Sequence, residues 1–136
     1  MKPEARFRKN LTDNLNPEWH IQNIESTINN GVPDMNIAIP FIGEIWLEIK
    51  HQKPALRREQ LAWIRKRQIL GQAVGVLCKK ASGLHLWLSR FDVEATASGI
   101  IIKTPPNHIV KTYKELELCL QTRIIQLQNQ NHEARK

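Results

Sequence analysis

The stretch GVPDMNIAIPFIGEIWLEIKHQKP, residues 31–54, constrains the fold more than any other part of the chain. Two alternating apolar runs flank a short turn, a period of two that calls for an antiparallel hairpin with strands near 33–39 and 44–50. Met35, Ile37 and Ile39 share one face of the first run, and Ile45, Leu47 and Ile49 share one face of the second. The other face carries Asp34, Asn36 and Ala38 on one strand and Glu44, Trp46, Glu48 and Lys50 on the other. The hairpin therefore looks built for burial, yet it places Asp34, Glu48 and Lys50 at its open end.

The segments after the hairpin set the fold class. Residues 55–70 have the period of a helix and stop at Gly71, and QAVGVLC, residues 72–78, is a near-continuous apolar run suited to a strand buried on both faces. Strand 44–50, helix 55–70 and strand 72–78 make a βαβ unit, which requires parallel pairing of its two strands. GLHLWLS, residues 83–89, alternates and is expected to pair back across a turn at Lys80–Ser82. A helix is expected over 17–30, with Asn16 as N-cap, Pro17 at its first position, Gly31 as its stop, and Ile21, Ile24 and Ile28 as its apolar stripe. A shorter helix is expected around 3–12. The last is expected near 112–129, with Leu116, Leu120, Ile124 and Leu127 on one face and a frayed tail beyond. Between 91 and 112 only the apolar run Ile100–Ile102 stands out. The expectation is an α/β fold in a single domain spanning 1–136, a mixed sheet made of the hairpin plus the βαβ unit and flanked by helices.

The length of 136 residues suffices for one hydrophobic core without covalent staples. No apolar run approaches the roughly 20 residues of a membrane span, and the start MKPEARFRKN lacks the apolar segment of a secretory signal. A cytoplasmic protein with no membrane partner is therefore expected, with Cys78 and Cys119 as free thiols. Charge is more informative. The net charge is +7, but residues 1–49 hold four basic and seven acidic side chains, whereas residues 50–67 hold seven basic and one acidic. Such a block can be a solvated helix face. A polyanion such as DNA is the sharper reading, with Lys53, Arg57, Arg58, Arg65 and Lys66 as candidate contacts.

Polar residues also sit where their elements direct them inward. On a helix over 17–30, Glu25 falls about 40° from Ile21 and about 60° from Ile28. On the helix over 55–70, Gln60 lies between Leu56, Trp63 and Ile64. Together with Asp34, Glu48 and Lys50 they form a convergent polar group. Buried carboxylates cost several kcal/mol unless paired or bound to metal, so such a group makes sense as a divalent cation site. For Asp34 and Glu48 to share a face, paired residue numbers must sum to an even value, which requires an odd connection such as Pro40–Ile42 or Phe41–Gly43. Their Cβ atoms would then lie about 5 Å apart, a scale suited to one hard cation. Mg²⁺ held in this way keeps waters and accepts phosphate oxygens, while Lys50 could orient an attacking water or neutralise developing charge. The polar face thus reads as a phosphodiesterase site.

Pro33-Asp34 followed by Glu48-Ile49-Lys50 resembles the signature of the PD-(D/E)XK nuclease superfamily, whose fold is restriction-endonuclease-like. IESTINNGVPDMNIAI, GEIWLEIK and LRREQLAWIRK further resemble small phage-encoded proteins related to the virus-type replication-repair nuclease domain. The resemblance covers a core of about residues 17–88 and leaves 91–136, with the terminal helix, as an extension. It implies Asp34 and Glu48 as metal ligands, Lys50 as the catalytic lysine, Glu25 as an additional acid at the metal, and Gln60 as the polar residue of the following helix. It also implies a Mg²⁺- or Mn²⁺-dependent DNA endonuclease, with forked or Holliday-junction DNA as candidate substrates and a homodimer as one assembly. Two other readings stand beside it. A binding module could keep the nuclease fold without catalysis, although it would have little reason to retain Asp34, Glu48 and Lys50. A sequence-specific restriction-type enzyme would need recognition elements for which residues 89–136 leave limited room. His51, His85 and His108 lack the spacing of a zinc site.

Overall fold

A computed structural model describes residues 1–24 and 30–135. In chain order these form α1 (Pro3–Asn14), β1 (His20–Asn23), β2 (Met35–Ile39), β3 (Gly43–His51), β4 (Ala55–Leu56), α2 (Arg58–Ile69) and β5 (Val74–Lys80). The second half adds β6 (Gly83–Trp87), β7 (Val93–Thr96), β8 (Gly99–Ile102), β9 (His108–Val110) and α3 (Tyr113–Ala134). The main sheet has six strands in the order β1-β2-β3-β5-β6-β9, and a smaller sheet has the order β4-β8-β7. Among the described strands of the main sheet only β3 and β5 pair in parallel, across α2, as the βαβ reading requires.

The hairpin closes through Pro40–Ile42, and its register pairs Met35 with Leu47 and Ile37 with Ile45. Every paired sum is therefore even, and Asp34, one residue before β2, comes level with Glu48. The two faces of the sheet meet different helices. Met35, Ile37, Ile45, Leu47 and Ile49 pack with Phe7 and Leu11 of α1 and with Leu116, Leu120 and Ile124 of α3. The opposite face sets Val74, Val76, Cys78 and Trp87 against Leu61 and Ile64 of α2. Glu48 and Lys50 alternate with the first set, so they lie on the α2 side.

The helix expected over 17–30 does not form in the described residues. Residues 20–23 are instead a strand that extends the sheet along the free edge of β2, pairing His20 with Ala38 and Asn23 with Met35. The Asn16 signal is real but serves a turn: its Oδ1 accepts the Glu18 N–H at 2.9 Å, and its carbonyl accepts the Trp19 N–H at 3.0 Å. Trp19 is buried and Ile21 packs on the core, contacts that an edge strand supplies as well as a helix would. Glu25 lies outside the described residues. In the region without a clear pattern, β7 pairs with β8, and β9 pairs with β6, placing Val110 opposite Leu84. These strands are three or four residues long, too short to display a period. The terminal helix does not fray at 129 but continues to Ala134, where Asn131 donates to the Gly71 carbonyl at 3.1 Å.

Candidate active site

Asp34 and Glu48 are interlocked through each other's backbone. The Asp34 N–H donates to Glu48 Oε1 at 3.2 Å, and the Ile49 N–H donates to Asp34 Oδ2 at 2.9 Å. Even register places the two acids opposite one another, and these bonds hold both carboxylates at the open end of the hairpin. Glu48 is 1% exposed, the most buried charged residue of the described chain. Burial first, and the neighbouring Asp34 second, push its carboxyl up to about 8, while the Lys50 ammonium pulls the other way.

Lys50 lies two residues further along the same face. Its Nζ lies 3.4 Å from Glu48 Oε2 and donates to Gln60 Oε1 at 3.3 Å. Gln60 joins the group from α2. Its Nε2 donates to Glu48 Oε2, and its Oε1 also accepts the Arg57 N–H at 2.9 Å. The same side chain thus satisfies an orphan donor at the start of α2 and fixes both Glu48 and Lys50. A buried glutamine at the third helical position reaches back naturally to the residue before the helix, which is why α2 begins where it meets the site.

Gly31 completes the junction. It has a φ of +81°, and a Cβ there would sit 2.1 Å from the Glu59 carbonyl oxygen. The chain leading into Asp34 therefore lies directly on the first turn of α2. A residue without a side chain at this positive φ permits that close approach.

Of the sequence-predicted residues, Asp34, Glu48, Lys50 and Gln60 come together. Among the expected DNA contacts, Lys53, Arg57, Arg58 and Lys66 are exposed, and Arg65 is half-buried with Nη2 donating to the Phe91 carbonyl at 3.3 Å. No sequence pattern marks Lys79, Lys80 or Lys111, which line a cavity of about 320 Å³ with Ser82, Thr112 and Tyr113. Cys78 is the ladder partner of Lys50, and Lys80 lies two residues on along the same face, whereas Leu84, Val110 and Tyr113 of the cavity pack on the α1 and α3 side of the sheet. A charge count by segment could not find the cavity, since Lys111 follows β9, far along the chain from β5.

The donor set suits a hard divalent cation. Asp34 and Glu48 offer oxygen ligands, Mg²⁺ binds readily through one or two carboxylates with waters retained, and an anion as buried as Glu48 gains from a cation beside it. No other His, Cys, Asp or Glu among the described residues joins them in a group of three.

No protein-family model matches this sequence, and no curated protein does. In fold the chain is similar to Hjc, a Holliday junction resolvase from the archaeal hyperthermophile Archaeoglobus fulgidus. The TM-score is 0.56 at 14% sequence identity, over 80% of this chain and 94% of that one. The fold is thus restriction-endonuclease-like, a mixed sheet flanked by helices.

Proposed function

We propose that this chain is a divalent-metal-dependent DNA endonuclease acting on branched DNA, such as forks or four-way junctions, during replication, recombination or repair. The observation that carries this reading is the cluster of Glu48, Asp34, Lys50 and Gln60 at the open end of the hairpin. A carboxylate almost wholly removed from water, beside a second acid, is a poor structural device and a good ligand pair. The likeness in fold to a Holliday junction resolvase supports DNA as the substrate class.

Asp34 and Glu48 would hold Mg²⁺ or Mn²⁺, with Glu25 as the candidate third acid, and the bound ion would supply Lewis acidity at a phosphodiester oxygen. Lys50 is a compact cation that can donate to the attacking water or to a phosphoryl oxygen as charge accumulates. Gln60 positions Lys50 by accepting its hydrogen bond and steadies Glu48 by donating one. Lys53, Arg57 and Arg58, with Lys80 and Lys111 across the sheet edge, supply the positive surface for the backbone. Symmetric cleavage of a junction requires two such sites, hence two copies of the chain.

The test is cleavage of linear, forked and four-way DNA by purified protein in Mg²⁺, Mn²⁺ or EDTA. Branched substrates should be cut in either metal and spared in EDTA. Lys50→Ala should keep metal binding and lose cleavage by about 10²- to 10⁴-fold. Asp34→Asn should lose metal affinity and cleavage together while still binding DNA. If both variants cut at the parent rate, the reading is wrong.

A further inference from the structure

The far end of α2 carries a second polar group that the site described above does not use. Arg65, Gln68 and Ile69 of α2, Ser89 and Arg90 after β6, and Arg123 of α3 enclose a cavity of about 160 Å³. That is many times the roughly 15 Å³ a single water needs. The loop bearing Arg90 is held in place by Asn107, whose Oδ1 accepts the Leu88 and Ser89 N–H groups at 2.6 and 3.2 Å and whose Nδ2 donates to Ser89 Oγ at 3.1 Å. Three guanidinium-bearing residues thus reach one cavity from three separate elements.

Such a gathering is unfavourable by itself. The cations repel, and no ion pair among the described residues involves any of the three. The Nε–H groups of Arg65 and Arg123 are both buried and without an acceptor, although Arg65 uses Nη2 on the Phe91 carbonyl. Burial also pulls the Arg123 guanidinium below its usual range, as expected for a cation whose lost hydration nothing has replaced. The ligand class that suits three guanidinium-bearing residues at one cavity is an oxyanion with several acceptor oxygens. Guanidinium forks match phosphate oxygens in pairs, and three positive charges favour a phosphate group over a single carboxylate.

We propose that Arg65, Arg90 and Arg123 form a phosphate-binding pocket, distinct from the Asp34–Glu48 site. Its α2 residues lie five to nine positions beyond Gln60, about 8–14 Å along the helix axis, so a strand anchored there can reach the catalytic edge. The pocket's chemistry stands on its own residues. That its occupant is a DNA phosphate rests on the nuclease reading.

The test tracks the Arg Nε–H resonances of the full chain by nitrogen-15 NMR, without metal, during titration with inorganic phosphate and then with a single-stranded oligonucleotide. The Arg65 and Arg123 resonances should shift saturably with phosphate, and Arg123→Gln should weaken that binding by roughly tenfold or more. Arg123→Lys keeps the charge but loses the fork, and should weaken it too. Arg90→Gln alters an exposed side chain and gives the same reading should Arg123→Gln fail to fold. Displacement of phosphate by the oligonucleotide identifies a nucleic-acid backbone as the source, whereas phosphate that stays bound identifies a free phosphate compound. No saturable shift at Arg65 and Arg123, or unchanged phosphate affinity in Arg123→Gln and Arg90→Gln, overturns the pocket. Because nothing is cleaved in this assay, its outcome is independent of whether the chain is a nuclease.

Discussion

Glu48 concentrates the chemistry of this protein in one carboxyl group. Its folded-state value of about 8 lies above the 4.5 of a free glutamate, so between those values the folded chain holds a proton that the unfolded chain has released. Stability from this group is fully present below about pH 4.5 and is lost as pH rises towards 8, by up to about 1.4 kcal/mol per pH unit. The metal-free protein should therefore melt at progressively lower temperature from pH 5 to 8. Glu48→Gln should flatten that dependence, and the difference between the two melting curves isolates Glu48 from other titrating groups. The same proton competes with a cation. Stabilisation by Mg²⁺ should grow from pH 6 to 8 in the parent protein and vanish in Glu48→Gln. A parent melting temperature that stays level over this range, with Glu48→Gln no different, would remove the buried acid from the account.

At the scale of elements, the site is a junction of the hairpin and the first turn of α2. Two contacts make that junction, the Gly31 backbone on the Glu59 carbonyl and the Gln60 side chain across to Glu48 and Lys50. Gly31→Ala introduces a methyl group where a carbonyl already stands, in a backbone conformation that alanine resists. It should cost at least about 1–3 kcal/mol, seen as a lower urea midpoint with an unchanged slope. Gln60→Ala should cost about 1–3 kcal/mol, since it leaves the Arg57 N–H without its acceptor and removes one of the hydrogen bonds on buried Glu48. Unlike Gly31→Ala, it should also alter the pH dependence of stability, because it touches the titrating group. A Gly31→Ala protein as stable as the parent would mean that the leader to Asp34 does not rest on α2.

For the whole molecule, positive charge is arranged around the sheet rather than along one segment. Lys53, Arg57 and Arg58 flank the start of α2, while Lys79, Lys80 and Lys111 stand at the neighbouring sheet edge. Each phosphate contact contributes about −0.9 to the slope of log affinity against log salt on duplex DNA. Charge reversal at Arg57 and Arg58 should flatten that slope, and reversal at Lys80 and Lys111 should do so independently. If only one pair changes the slope, DNA crosses one side of the site alone. If neither does, the duplex is held elsewhere.

Much of this architecture is legible along the chain. The alternation of residues 35–39 and 44–50, the helix period after Pro54 and the apolar run at 74–78 are local patterns, and they specify the hairpin and the parallel βαβ unit. Parity puts Asp34 and Glu48 on one face for any odd connection, because side chains alternate strictly along a strand, and the register closed through Pro40–Ile42 brings them level. Tertiary structure decided the rest. His20–Asn23 became a strand because β2 offered an unpaired edge, and backbone pairing there outweighed a capping signal that Asn16 could spend equally well on a turn. Lys111 and Arg123 gained their neighbours only when elements far apart in sequence packed together. Periodicity reports which face a residue occupies within its own element. Which other element meets that face depends on the burial of the whole core, and no single segment contains that information.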